Sequence, residues 1–247
     1  MDRISPTLKP DRTAVMRQRW AELGFLHWPV PVAVLRDLIP RALTIDTHEG
    51  QAYVGVVPFT VTGARPMLMP PLPWVSDFHE VNVRTYVHLD GADPGVWFFS
   101  LDASNPLVVA AARALFLLPY HHARMELEKD AAGIDFRSER ADAAGATCAL
   151  RYEPQGKAQP VAVGTLEHFL IERYLLYTSA QGRLWQGQVH HEPYPVQAAR
   201  VEVLREGLVA AAGIARPDRP PPLVHFAREV NVEIFALRDV GPAERPG

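Results

Sequence analysis

The sequence predicts a mainly-β protein of the α+β class, with a closed or double-layered antiparallel sheet and a few short helices. Three observations point there. Eight stretches rich in valine and aromatic residues either alternate apolar with polar positions or run apolar throughout. A single stretch combines a clear helix start with a long apolar run. Finally, 23 prolines are spread along 247 residues, which favours short elements and sharp turns over long helices. Many strands with few intervening helices argue against a βαβ architecture.

Taken in order, Val32 to Ile39 reads as a short helix and Gln51 to Thr62 as a strand. Phe78 to Leu89 alternates cleanly, with Val81, Val83, Thr85, Val87 and Leu89 on one face and Glu80, Asn82, Arg84, Tyr86 and His88 on the other. Gly95 to Leu101 is apolar on both faces, as a central strand would be. Asn105 and Pro106 supply a capping side chain followed by proline at the first helical position, and the helix should end near Leu117, before Pro119. It is apolar all round except for Arg113, which predicts burial. Further strands are expected at Tyr120 to Glu128, Thr147 to Glu153, Leu184 to His191, Val196 to Leu204 and Val224 to Leu237. Short helices are expected at Leu166 to Tyr174 and at Arg205 to Ala212, the last ended by Gly213. Ala64 to Trp74 and Ala215 to Pro222, each with four prolines, read as loops. Neither is a convincing linker, so residues 1–247 are taken as one domain, with frayed ends at 1–12 and 240–247.

Composition narrows the function. With 25 basic and 28 acidic residues and no block of like charge, nothing suits a nucleic-acid partner. Cys148 is the lone cysteine, so an intramolecular disulfide and a thiolate metal site are both excluded, and its apolar strand predicts an inert thiol. The first 13 residues lack the apolar core of a signal peptide. The most apolar stretch, Pro106 to Tyr120, is too short to span a bilayer, so a cytoplasmic protein without a membrane partner is expected. Only three of the basic residues are lysines: Lys9, Lys129 and Lys157.

The candidate chemistry lies on the polar face of the Phe78 to Leu89 strand. A half-polar strand usually faces water. If the sheet curls back on itself, the same face lines a cavity holding Glu80, Arg84 and Tyr86. Arg113, alone on an apolar helix, then needs an acceptor, and Glu80 and Asp102 are the candidates. In the strand that follows, Tyr120 and His122 share one face and His121 the other, so the paired histidines diverge and cannot hold one ion. The same parity separates His190 from His191, and periodicity does not say which of these faces inward. No metal site is expected. Glu172, Arg173, Tyr174 and Tyr177 read as an ion pair with core aromatics, and the five tryptophans as core and rim.

The order of several motifs is recognisable: Phe25-Leu26-His27-Trp28-Pro29-Val30, Val57-Pro58-Phe59, Phe78 to Val87, Gly95 to Asp102, Ala112-Arg113 with Leu118-Pro119-Tyr120, Phe169 to Tyr174, and Val189 to Pro193. Together they resemble the YqjF-like family, which is grouped with the acetoacetate decarboxylase-like superfamily. The resemblance implies a closed, cone-like, double-layered β structure around a pocket. In acetoacetate decarboxylase an arginine-bearing helix ends in proline followed by two adjacent lysines. The first is the Schiff-base nucleophile, and the second lowers its pKa by charge repulsion. Here Arg113 and Pro119 keep that pattern, but the next two positions are Tyr120 and His121, neither of which can form an imine. Glu80 falls where that enzyme has a pocket glutamate. Lys129 sits among acidic residues that would hold it charged, and Lys9 and Lys157 lie in a terminus and a loop.

The sequence therefore leaves three readings. One is a pocket that binds a small organic acid or carbonyl compound without a covalent step. Another is a lysine-independent lyase, hydratase or isomerase working through an enolate. The third is a structural or interaction module whose pocket has been filled. In the first two, Tyr120 and Glu80 are the candidate acid and base, and Arg84, Arg113, Tyr86, Trp97, His122 and His190 the candidate ligand contacts. Alternatively, Tyr120 is an aromatic plug whose hydroxyl meets Glu80 or a backbone carbonyl. No cofactor is expected. Self-association is left open.

Overall fold

The computed structural model describes residues 1–215 and 219–244. The central part of the predicted 215–222 loop and the last three residues of the predicted frayed end lie outside them. Among the described residues, thirteen strands form one sheet. Five of them make a continuous antiparallel wall: β1 (Met16–Val30), β3 (Ala52–Pro66), β4 (Phe78–Leu89) and β5 (Ala92–Ala103), with β12 (Leu223–Ile234) beyond β1. Short β2 (Leu43–Ile45) adds to β4.

Closure happens because the two outer strands of the wall each have two partners on their free edge. β5 pairs near its end with β6 (Tyr120–Lys129) and earlier with β9 (Leu175–Ala180), both in parallel. β12 pairs with β11 (Val196–Glu206) and, further on, with β10 (Arg183–His190). One route from β5 to β12 runs through β6, β7 (Ile134–Arg140), β8 (Thr147–Gln159) and β11; the other runs through β9 and β10. A final strand, β13 (Arg238–Pro242), edges β10.

The middle of the wall therefore has no face left for water, which is the double-layered arrangement expected, while β1 and β12 keep exposed side chains such as Arg17 and Arg228. Val81, Val83 and Val87 of β4 pack into one apolar core with Leu26, Trp28, Phe136 and Leu150. Phe78 and Tyr86, on the opposite face, enter a second core with Leu23, Phe25 and Phe59. Four α-helices punctuate the sheet: α1 (Val32–Arg36), α2 (Pro106–Phe116), α3 (Leu166–Ile171) and α4 (Leu208–Ala211).

Several expectations need correction. Strands β1, β2, β7, β9 and β13 were not anticipated, and residues 205 and 206 continue β11 before α4 starts. The start of α2 is as expected, with Asn105 Oδ1 accepting from the N–H of Leu107 and Val108. Its burial is not. Of its eleven residues only Val109 is buried, because the helix lies across an opening in the sheet instead of inside a core. Arg113 is exposed, and its Nε donates to the carbonyl of Tyr120 (2.6 Å), not to Glu80 or Asp102.

Asp102 is taken by another arginine. Arg140 of β7 donates to both of its oxygens, at 3.0 and 2.8 Å, in a fully enclosed pair. The first residues, expected to fray, lie against the sheet: Arg3 grips Asp46 through two bonds (2.6 and 2.8 Å), and Lys9 pairs with Glu233. Since the Asp102–Arg140 pair ties the β5 branch to β7, replacing Asp102 with alanine strands a buried guanidinium. Urea denaturation should report a loss of about 3–5 kcal/mol.

Candidate functional site

Alternation along β4 sends Glu80, Asn82 and Arg84 to the same side, and closure of the sheet turns that side into the interior. All three are buried, at 4%, 5% and 8% exposure, and line a cavity of about 850 Å³. Its walls are mostly apolar, with Phe25 from β1, Phe59 from β3 and Leu101 from β5, and it is partly roofed by α2.

Strand register explains how Tyr120 joins the group. Asn82, Leu101 and Tyr120 are partners across β4, β5 and β6, while Glu80 is opposite Ala103 two residues along. Alanine at 103 leaves the carboxyl room to cross the sheet, and the Tyr120 hydroxyl donates to Glu80 Oε2 at 2.9 Å. Burial away from solvent pushes the Glu80 carboxyl up to about 8, against the Tyr120 hydrogen bond, which pulls it down; Asp102 raises it further. Burial and the neighbouring Glu80 likewise drive the Tyr120 phenol well above its ordinary value. At neutral pH the pair is thus a carboxylic acid beside an intact phenol, able to donate hydrogen bonds and, near its pKa, to exchange a proton.

Arg84 stands deeper. His27, Gly55 and Arg84 are partners across β1, β3 and β4, and a Cβ on Gly55 would sit 2.9 Å from the His27 ring. The missing side chain lets His27 lie flat against the wall and meet the Tyr86 hydroxyl at 2.7 Å. Tyr86 donates to the carbonyl of Leu170 (2.7 Å), so His27 donates from Nε2; burial, first, and then Arg84 keep its pKa well down. Arg84 donates from Nη2 to the same carbonyl (3.0 Å) and lies 5.7 Å from the Phe25 ring centre. No carboxylate pairs with it among the described residues, and its Nε has no hydrogen-bond partner there. Asn82 Oδ1 is likewise buried and unpartnered.

The other candidates are placed as follows. Tyr86 is fully buried beneath Arg84 and Phe169 and does not reach the cavity surface. Trp97 and Arg113 border a separate, more open depression of about 610 Å³ on the outer side of β5. His122 shares a register row with Glu80 and Ala103, and His121 points the other way to Asp142. His190 turns to the N-terminal segment, where Nδ1 donates to the Thr7 carbonyl (3.1 Å). It is His191 that faces inward, stacked on Tyr174 with ring centres 4.4 Å apart and flanked by Tyr194; burial pushes it down to about 4 and keeps it neutral.

Asn82 and Arg173 are among the cavity residues that were not singled out from the sequence as site residues. Asn82 could have been, since it lies midway between Glu80 and Arg84 on one face. Arg173 could not: it pairs with Asp46 (2.9 Å), 127 residues away, and not with Glu172, which accepts from Tyr174 (2.7 Å) and the Tyr194 N–H (3.0 Å). Arg173 reaches the cavity over the rings of Tyr86 and Phe169, and burial lowers it to about 10 against the pull of Asp46.

The lysines are elsewhere. Lys9 pairs with Glu233, Lys129 with Glu22, and Lys157 is exposed on β8; none borders the cavity. No group of three metal-ligating side chains occurs among the described residues, and no helix there is long and apolar enough to cross a membrane.

The DUF2071 family, described as an uncharacterised conserved protein, matches residues 17–231. The chain is a member of the DUF2071 family. Within it, the uncharacterised protein YqjF of Bacillus subtilis (strain 168) is 39% identical over 229 residues, covering 93% of this chain and 94% of that one. Solved structures carry the fold further. An acetoacetate decarboxylase superposes with a TM-score of 0.63 over 97% of this DUF2071 chain and 98% of its own, at 11% identity. The enduracididine biosynthesis enzyme MppR, complexed with pyruvate, gives 0.61 over 94% and 93%, also at 11% identity. An acetoacetate decarboxylase-like enzyme from Sphingomonas wittichii RW1 gives 0.60 over 94% and 95%, again at 11%. At that identity the likeness establishes the acetoacetate decarboxylase-like fold of this DUF2071 protein and nothing about its reaction.

Glu80 sets a pH signature. Its folded pKa of about 8 lies above the ordinary 4.5, so the folded protein holds a proton that the unfolded chain releases. The associated stability is complete below pH 4.5 and is lost as pH rises through about 8. Calorimetry from pH 7 to pH 8.5, above the range in which the buried histidines act in the opposite sense, should show a falling melting temperature that Glu80→Gln largely flattens.

Proposed function

We propose that this protein binds a small organic acid or carbonyl compound in the β4-lined cavity, without forming a covalent bond to it, in the cytoplasm. The observation that carries this reading is Arg84: a buried guanidinium facing a cavity, with no anion paired to it among the described residues. Burying a cation without a counter-charge is expensive, and an anionic ligand removes that penalty while offering Arg84 the acceptor it lacks. Asn82 adds an unpartnered amide oxygen, an acceptor for a ligand hydroxyl, and the protonated Glu80 carboxyl, held by Tyr120, adds a donor suited to a carbonyl oxygen. An open cavity of this size speaks against a filled-in structural module.

The Schiff-base route is disfavoured by the residues at hand. The positions after Pro119 are a tyrosine and a histidine, and no lysine borders the cavity. A second reading, lyase, hydratase or isomerase action through an enolate, is favoured by one feature: a carboxyl poised near neutrality and hydrogen-bonded to a phenol.

A thermal-shift screen of keto acids, enones and simple carboxylates should find stabilising compounds. Arg84→Gln should abolish the shift for acids, and Tyr120→Phe should weaken it severalfold for carbonyl compounds. If no compound shifts the melting temperature of the wild type, the binding reading fails. Sodium borohydride with acetoacetate should leave the protein mass unchanged, whereas a lysine adduct would restore the Schiff-base route. Turnover lost in both Glu80→Gln and Tyr120→Phe would favour the enolate reading.

A further inference from the structure

We propose that the ligand of this cavity is an amphipathic monocarboxylate, with its carboxylate on Arg84 and an extended apolar body reaching the opening under α2. The inference rests on the acid-binding reading above and adds the chemical class.

The first argument is size against polarity. At about 850 Å³ the cavity would hold on the order of twenty-eight waters, at roughly 30 Å³ each. A short keto acid would leave most of that space to water. Ordered water needs polar partners, and outside β4, β6 and Arg173 the lining offers few, such as Gln18, Arg65 and Ser76, while most of it is side chains such as Phe25, Val57, Phe59 and Leu101. An apolar body fills such a space at a gain; water does not.

The second argument is length. Glu80 and Arg84 are four residues apart on an extended strand, so their backbones are separated by about 13 Å at roughly 3.3 Å per residue. Phe78, at the end of β4 beside the 67–77 loop, is about 20 Å from Arg84 on the same scale. A compound of a few atoms can engage one end of this row. A carboxylate with a body on the order of ten carbons can engage Arg84 and still touch the residues near the opening.

The third argument is the opening itself. Leu72, Leu107 and Leu115 line the cavity and are 47%, 64% and 68% exposed, so the apolar lining continues to the surface. The adjoining loop is tied to the start of α2 by Asn105, whose Nδ2 donates to the Trp74 carbonyl (2.5 Å). Exposed leucines around an entrance have no use for a small hydrophilic acid. They suit a ligand that enters head first and leaves its apolar end at the rim.

The test is a calorimetric titration of the full chain with butanoate, octanoate and dodecanoate, below their micelle concentrations, and with methyl dodecanoate. Affinity should rise about fourfold per added methylene, equivalent to about 0.8 kcal/mol each, until the opening is reached. The methyl ester should bind at least tenfold more weakly than the acid. Leu115→Asn, an exposed change that spares the fold, should weaken dodecanoate severalfold and leave butanoate unchanged. Affinity that is flat with chain length, with short acids still bound, overturns the amphipathic class and leaves the acid-binding reading standing. Ester and acid binding equally overturns the placement of the head on Arg84. Failure of every acid to bind overturns both.

Discussion

A strand enclosed on both faces has no water in which to place a charge. That constraint governs β4, the middle of the shared wall, and the rest of the site depends on it. Val81, Val83 and Val87 meet it simply, by joining an apolar core. Glu80, Asn82 and Arg84, on the other face, meet it in different ways. The carboxyl holds its proton and accepts from a phenol; the guanidinium reaches one backbone carbonyl; the amide oxygen has no protein partner among the described residues. Buried polar groups are nearly always satisfied, so a row of incompletely satisfied ones beside a cavity marks where the fold has given up stability.

The fold family and the site separate cleanly in this protein. DUF2071 membership gives the family and the superposition on acetoacetate decarboxylase the fold, in which β5, α2 and β6 form a parallel connection. The first residues of β6 deliver the chemistry of the site: Tyr120 points inward to Glu80, and His121 points the other way to Asp142. The phenol contributes a hydrogen-bond donor on a rigid ring, and its proton is held firmly by burial and by Glu80. Such a group holds the Glu80 carboxyl in place through its one O–H.

How much of this was readable from the sequence depends on the range of the interaction. The alternation from Phe78 to Leu89 placed Glu80, Arg84 and Tyr86 on one face, and the parity at His121 and His122 separated them, because both follow from local backbone geometry. Whether the β4 face met water or a cavity was not readable, since closure is set by pairings such as β12 with β10, far apart in the chain. Arg113 was misassigned for the same reason. Its apolar helix suggested a core, but the neighbours that decide burial come from elsewhere, and the partner expected for it, Asp102, is claimed by Arg140. Arg173 was hidden behind a sequence-adjacent glutamate, although its partner, Asp46, lies on another part of the sheet. The first half of strand β1 was missed because Met16 to Glu22 is largely polar and is held by ladder bonds on both sides, whereas its second half, Leu23 to Val30, enters both cores.

The connection leaving α2 has a mechanical consequence. The helix roofing the cavity and the phenol inside it are separated by only a few residues, and those residues are pinned at both ends. Thr178 donates to the Leu117 carbonyl, Leu101 to that of Pro119, and Arg113 of the helix to that of Tyr120. The roof and the phenol therefore belong to one lever. Any tilt of the helix that widens the entrance pulls on the backbone of residue 120, so the width of the entrance and the aim of the hydroxyl toward Glu80 are set together.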